Sequence, residues 1–121
     1  MKITEALQRI DALCPNPFSE EEKLKWLSNL DWTIKVEIID PRRSDVSFSG
    51  YDENTDMETE LLAPAPYDEM YLYWMQAMVD YHNREMASYN NAITRFEETY
   101  LKFRNWYNRE NMVRETKMRF F

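Results

Sequence analysis

Apolar residues recur at helical spacing along most of the chain. In residues 4–14, Leu7, Ile10 and Cys14 share one face, with Ala6 and Leu13 beside it, which predicts a short helix ended by Pro15 and Pro17. Ser19-Glu20-Glu21-Glu22 then has the pattern of a capping box. The Ser19 hydroxyl can accept from the amide of Glu22, and Glu22 can reach back to the amide of Ser19. Three carboxylates also suit the positive end of a helix dipole. A second helix is predicted over 20–39, stopped by Asp40-Pro41.

The second helix has two apolar stripes. Leu24, Leu27, Leu30, Ile34 and Ile38 fall on one side, while Trp32, Val36 and Ile39 fall nearly opposite. One stripe can face the domain's own core. The other needs a second partner, either more of the same domain or a neighbouring subunit.

Residues 41–66 are the one long non-helical stretch. Val46-Ser47-Phe48-Ser49 alternates like a short strand, and Glu60-Leu61-Leu62 is its predicted hairpin partner. The acidic run between them, with Asp52, Asn54 and Asp56, invites a calcium reading. It fails the EF-hand test, because Met57 stands where the sharp turn needs glycine and Ala63 where the bidentate glutamate belongs.

From Tyr67 onward there is neither glycine nor proline. An apolar stripe runs through Tyr71, Trp74, Met75, Met78 and His82. It continues in phase through Met86, Tyr89, Ile93, Phe96, Tyr100, Phe103 and Tyr107. Unbroken, residues 67–108 would span roughly 60 Å, more than so small a monomer can cover. Either the helix turns at 82–86 or subunits of an oligomer cover it, and the turn is favoured because Asn83 tolerates the left-handed conformation that ends helices. The fold class is all-α: a small bundle of about four helices with one short β-hairpin-like loop and an extended C-terminal tail. Residues 1–108 form the helical domain and 109–121 the tail.

Composition narrows the function. The chain has 121 residues, about one domain. Its aromatic share of 15%, with eight Met, suits either a bulky core or contacts with other subunits. The net charge of −7 is too acidic for gripping nucleic acid over the whole surface. Only residues 109–121 oppose the rest in sign, with four basic and two acidic side chains. One cysteine excludes an intramolecular disulfide, and no apolar run reaches membrane-spanning length. The start MKITEALQRI lacks a signal-peptide core, so a cytoplasmic protein is expected.

No catalytic constellation is legible. His82 is the single histidine and sits on the apolar stripe, as a core or interface residue would. Cys14 lies on an apolar face with no histidine near it in sequence, which predicts a quiet thiol. No P-loop, GxSxG, HExxH or paired-cysteine pattern occurs. Helical nucleotide pyrophosphohydrolases gather magnesium through EExxE, but Glu97-Glu98 is followed by Thr99-Tyr100-Leu101. The expectation is a protein that is no enzyme and binds no cofactor and no metal.

The order of parts resembles a known family. A short amphipathic helix precedes SEEEKLKWLSNLDWTIKVEIID and a polar loop. LLAPAPYDEMYLYWMQAMVDYHNRE and SYNNAITRFEETYLKFRNWYNRENM follow. This resembles the head–tail connector family of tailed bacteriophages, also called adaptor or head-completion proteins. The likeness covers about residues 3–112. It departs from the family at Arg84, where a glycine would mark the turn plainly.

The resemblance implies a helical subunit of a twelve-membered ring beneath the portal protein. That ring extends the DNA channel and receives a stopper or tail-completion protein. DNA passes without sequence-specific contact, no membrane is involved, and the mature location is the neck of the virion. The C-terminal segment would reach back to the portal, which makes Met112, Val113, Arg114, Lys117, Met118, Arg119, Phe120 and Phe121 the candidate docking residues. Trp32, Val36 and Ile39 are the candidate subunit interface. Asp52, Glu53, Asp56, Glu58 and Glu60 either face the channel or the stopper, or are plainly solvated. Three alternatives remain. A stopper or tail-completion protein of the same neck would be β-rich, a small-terminase-like packaging subunit would need a basic recognition helix, and a generic helical oligomer would have no phage role.

Overall fold

A computed structural model describes the backbone of residues 1–119 and the side chains of residues 1–111. The helices are α1 (Ile3–Leu13), α2 (Glu20–Ile34), α3 (Met70–His82) and α4 (Met86–Arg119). A π-helical turn, Lys35–Ile39, extends α2, and a 3-10 turn, Tyr67–Glu69, leads into α3. The all-α helical bundle is thus present, and among the described residues there is no strand.

The predicted hairpin does not form, because a different segment takes its edge. The amides of Ile3 and Thr4 donate to the carbonyls of Thr59 and Met57 at 3.0 and 2.9 Å, and the Leu61 amide donates to the Met1 carbonyl at 2.9 Å. The only residue of the expected hairpin in a bridge is Glu60, which pairs with Lys2. The first two of these bonds also satisfy first-turn amides of α1 that no side chain caps. Phe48, from the other expected strand, instead packs edge-on against Trp32 at 4.9 Å and Tyr51 at 5.1 Å.

α2 begins where the capping box places it. The Ser19 hydroxyl accepts from the Glu22 amide at 3.2 Å. The return bond differs: Ser19 donates to the Glu22 carboxylate at 3.5 Å. Leu24, Leu27, Leu30, Ile34 and Ile38 are all buried, as one stripe should be. The opposite stripe is broken by the π turn, whose signature is the Asp40 amide donating back five residues to Lys35 at 2.8 Å. A π turn advances roughly 80° per residue where an α turn advances ~100°. Over five residues this swings Ile39 about a quarter turn toward Ile34, and it is 4% exposed. Ile39 therefore belongs to the domain's own core and leaves the expected outer stripe.

α3 is the central helix and packs against α1, α2 and α4. It therefore buries residues on several sides, among them Met70, Tyr71, Leu72, Met75, Ala77 and Val79. His82 ends it and is exposed rather than in the core. Its ring rests on Phe18 and Trp26 at 5.6 and 5.4 Å.

The predicted turn at 82–86 is present, although its left-handed residue is Arg84 (φ 60°) rather than Asn83. The Glu85 amide donates to the Asp80 carbonyl at 2.9 Å and the Arg84 amide to the Tyr81 carbonyl at 3.1 Å. This is the Schellman pairing, which satisfies carbonyls that the end of a helix leaves open. A non-glycine residue in this region costs about 1 kcal/mol, so Arg84→Gly is expected to raise the melting temperature by roughly 3–5 °C. Thermal unfolding followed by circular dichroism checks it, and a lower melting temperature would show that Arg84 contributes more through its side chain.

α4 then returns along the bundle. Phe96 meets Trp74 at 5.1 Å, and the Trp74 indole donates to the Trp26 carbonyl on α2 at 3.0 Å. Further along, the Tyr100 hydroxyl donates to Glu37 at 2.6 Å, and Arg42 donates to Asn108 at 3.2 Å. α4 thus runs parallel to α2, from Trp26 toward Arg42. It continues as helix across residue 109, so the segment expected as an extended tail begins as helix, with no glycine or proline to stop it.

Candidate functional site

The polar loop is tied to the bundle by one buried carboxylate. Asp31 lies on the core side of α2, one helical turn after Leu27, and is 0% exposed. It accepts from the Tyr71 hydroxyl at 2.6 Å, from the Leu62 amide at 3.2 Å and from the Tyr51 hydroxyl. Tyr71 in turn accepts from the Ala63 amide at 2.8 Å. Both ends of the loop, Tyr51 and Leu62-Ala63, are therefore clamped to α2 and α3 through a single side chain. Burial pushes the Asp31 carboxyl above the usual aspartate range, against the pull of its three donors. Burial and then the adjacent carboxylate push both tyrosine hydroxyls upward. Asp31 is sealed from solvent, so this arrangement positions the loop and is no place for a substrate.

Gly50 makes the approach of that loop possible. It has φ +86°, and a Cβ there would stand 3.0 Å from the Trp32 indole nitrogen and 3.2 Å from the Ser28 hydroxyl. The same Ser28 hydroxyl accepts from the Tyr51 amide at 3.0 Å. Gly50→Ala is expected to destabilise by about 2 kcal/mol, adding backbone strain to the displacement of Trp32. Urea denaturation with a fluorescence readout measures it, and an unchanged midpoint would mean that the loop shifts freely.

The loop carboxylates Asp52, Glu53, Asp56, Glu58 and Glu60 are all exposed. Asp52 accepts from the Asn54 amide at 2.8 Å and Asp56 from the Glu58 amide at 2.9 Å, which makes two successive Asx turns. Glu58 pairs with Lys2 at 3.0 Å, and Glu60 with the Met1 amino group at 3.2 Å. Among the described residues these carboxylates do not converge on a common point where a cation could sit.

Beside the loop lies a groove of about 550 Å³. Leu7, Leu24, Tyr51 and Met57 supply its apolar walls, while Glu20, Glu21, Asp52 and Glu53 rim it with Lys25. The first turn of α2 and the loop bring these four carboxylates together from opposite sides, a juxtaposition the sequence order conceals.

Of the expected subunit face, Val36 is 60% exposed and Trp32 is 42% exposed with one ring edge covered by Phe48. Ile39 is buried and does not join that face. The expected docking residues Met112, Val113, Arg114, Lys117, Met118, Arg119, Phe120 and Phe121 lie outside the residues whose side chains are described. Asp31 was missed in the sequence, although a signal existed: it sits four residues after Leu27 and seven after Leu24, on the buried stripe. Comparison of the chain with protein-family models, with characterised proteins and with solved structures returns no match.

Proposed function

We propose that this chain is a structural adaptor of the neck of a tailed bacteriophage. It is one subunit of a ring, of twelve copies, that links the portal protein to a stopper or tail-completion protein and extends the DNA channel. It acts without a cofactor, is no enzyme, and is located in the virion.

The observation that carries this reading is the mismatch between α4 and the bundle. α4 has 34 residues against 13 in α3, roughly 51 Å against ~20 Å. It is held by the bundle as far as Asn108, and the residues beyond carry the basic end of an acidic chain. Helices gain most of their stability from packing, so a helix that outreaches its own domain calls for a partner. The exposed pair Trp32 and Val36 offers a second contact for a neighbouring subunit. The acidic loop, whose carboxylates are exposed, suits a channel wall past which DNA slides without sticking. The resemblance of residues 3–112 to connector proteins supplies the identity of the machine. No helix among the described residues is long and apolar enough to cross a membrane.

The test is to mix the purified chain with rings of the portal protein encoded nearest its gene. Electron microscopy should show an added ring on the portal, and the mass of the complex should give twelve copies. Absence of portal binding at micromolar concentration would overturn the reading. Tight, sequence-selective binding to duplex DNA would point to a packaging subunit instead.

A further inference from the structure

We propose that the acidic groove receives the C-terminal segment, residues 112–121, of a second copy of this chain, joining copies head to tail. The groove has an apolar floor, with Leu24 and Met57, beneath a carboxylate rim. On that rim Glu20, Glu21 and Glu53 have no ion-pair partner among the described residues. Residues 112–121 contain Arg114, Lys117 and Arg119 against the single acid Glu115, and end in Phe120-Phe121. Charge and apolar character therefore match in both parts of the pair: cations meet the rim and aromatic side chains meet the floor.

The segment cannot fill the groove of its own chain. The groove opens at the start of α2, near Glu20, and α4 runs away from that end, level with Glu37 at Tyr100. From Glu20 to Glu37 is about 26 Å of helix, and α4 runs ~28 Å further from Tyr100 to Arg119. Residues 112–119 belong to that helix and so lie well away from the groove, Arg119 by roughly 50 Å. A neighbouring copy can make the contact, because donor and acceptor lie at opposite ends of the molecule. Such a heterologous contact propagates and closes into rings when the rotation allows. The segment cannot occupy groove and portal at once, so the two compete for it. The proposal does not depend on the portal: it stands or falls on the behaviour of the chain alone.

Sedimentation equilibrium of the full chain at 50 mM and 500 mM salt tests it. Concentration-dependent association is expected at low salt, weakened about tenfold or more at high salt as the charge contacts are screened. The double variant Glu21→Lys/Glu53→Lys should lose at least about tenfold in association, and Arg114→Glu/Lys117→Glu should lose as much. Mixing the two variants should restore association between them, which a misfolded variant could not do. A chain that stays monomeric at both salts overturns the proposal. So do charge-reversed variants that associate like the parent, or a mixture that fails to recover.

Discussion

Replacing Asp31 by alanine is expected to cost about 3 kcal/mol of folding stability, a large share of what a domain of this size has. The change leaves the Tyr71 and Tyr51 hydroxyls and the Leu62 amide without their acceptor. An unpaired buried donor costs roughly 1–3 kcal/mol, offset here by removing a carboxylate that burial already disfavours. The loop should loosen at both ends, since Tyr51 and Leu62 flank it. Urea denaturation gives the loss in stability, and hydrogen exchange at the Leu62 and Ala63 amides gives the loosening. A variant as stable as the parent would show that the carboxylate and its donors merely cancel.

Asp31→Asn separates charge from hydrogen bonding. The folded pKa of Asp31 is raised, so the folded state holds its proton more tightly than the unfolded state does. Its stabilisation is fully present below the ordinary aspartate value of 3.8 and is lost as pH rises through the raised folded value. The asparagine variant does not titrate there, and the other carboxylates contribute alike to both proteins. The stability gap between parent and variant should therefore narrow as pH rises from about 3 to 7. A gap that widens with pH would mean that the tyrosine donors outweigh desolvation.

Under the proposed adaptor role, deleting residues 110–121 is expected to abolish attachment to the portal while leaving the helical fold and its melting temperature nearly intact. The deleted segment carries Phe120 and Phe121, worth ~2 kcal/mol each if fully buried, so a loss of roughly a thousandfold per subunit is expected. Arg114, Lys117 and Arg119 add encounter rate and choice of an acidic partner surface. A ring multiplies the effect, since each docked subunit raises the effective concentration of the others. The fold should survive, because the ring contacts of Phe103 with Tyr67, Trp106 and Tyr107 lie before the cut. Surface plasmon resonance on immobilised portal and a circular dichroism melt together decide it. A truncated chain that binds at full strength, or no longer folds, would refute the docking role. Groove-rim variants should keep portal binding, which separates this role from head-to-tail association.

The sequence by itself determined the helices, their order and most of the core. Apolar spacing placed Leu24, Leu27, Leu30, Ile34 and Ile38 on one buried stripe, because an α-helix holds its phase wherever its hydrogen bonds are regular. Ser19 marked the start of α2, because capping is local chemistry. The turn at 82–86 followed from length, since an unbroken helix would have outrun its own core. Tertiary structure decided what depends on residues far apart in the chain. Residues 57–61 pair with the N-terminal segment rather than with Val46–Ser49, a choice between edges that neither edge records alone. Ile39 turned inward because the helix widened into a π turn, which alters phase without leaving a residue signature. Asp31 became the clamp of the loop only once Tyr51, Leu62 and Tyr71 met around it. The acidic groove likewise exists only where the start of α2 faces the loop. Local propensity and periodicity act within a few residues, whereas pairing of buried polar groups is settled when distant segments exclude water together.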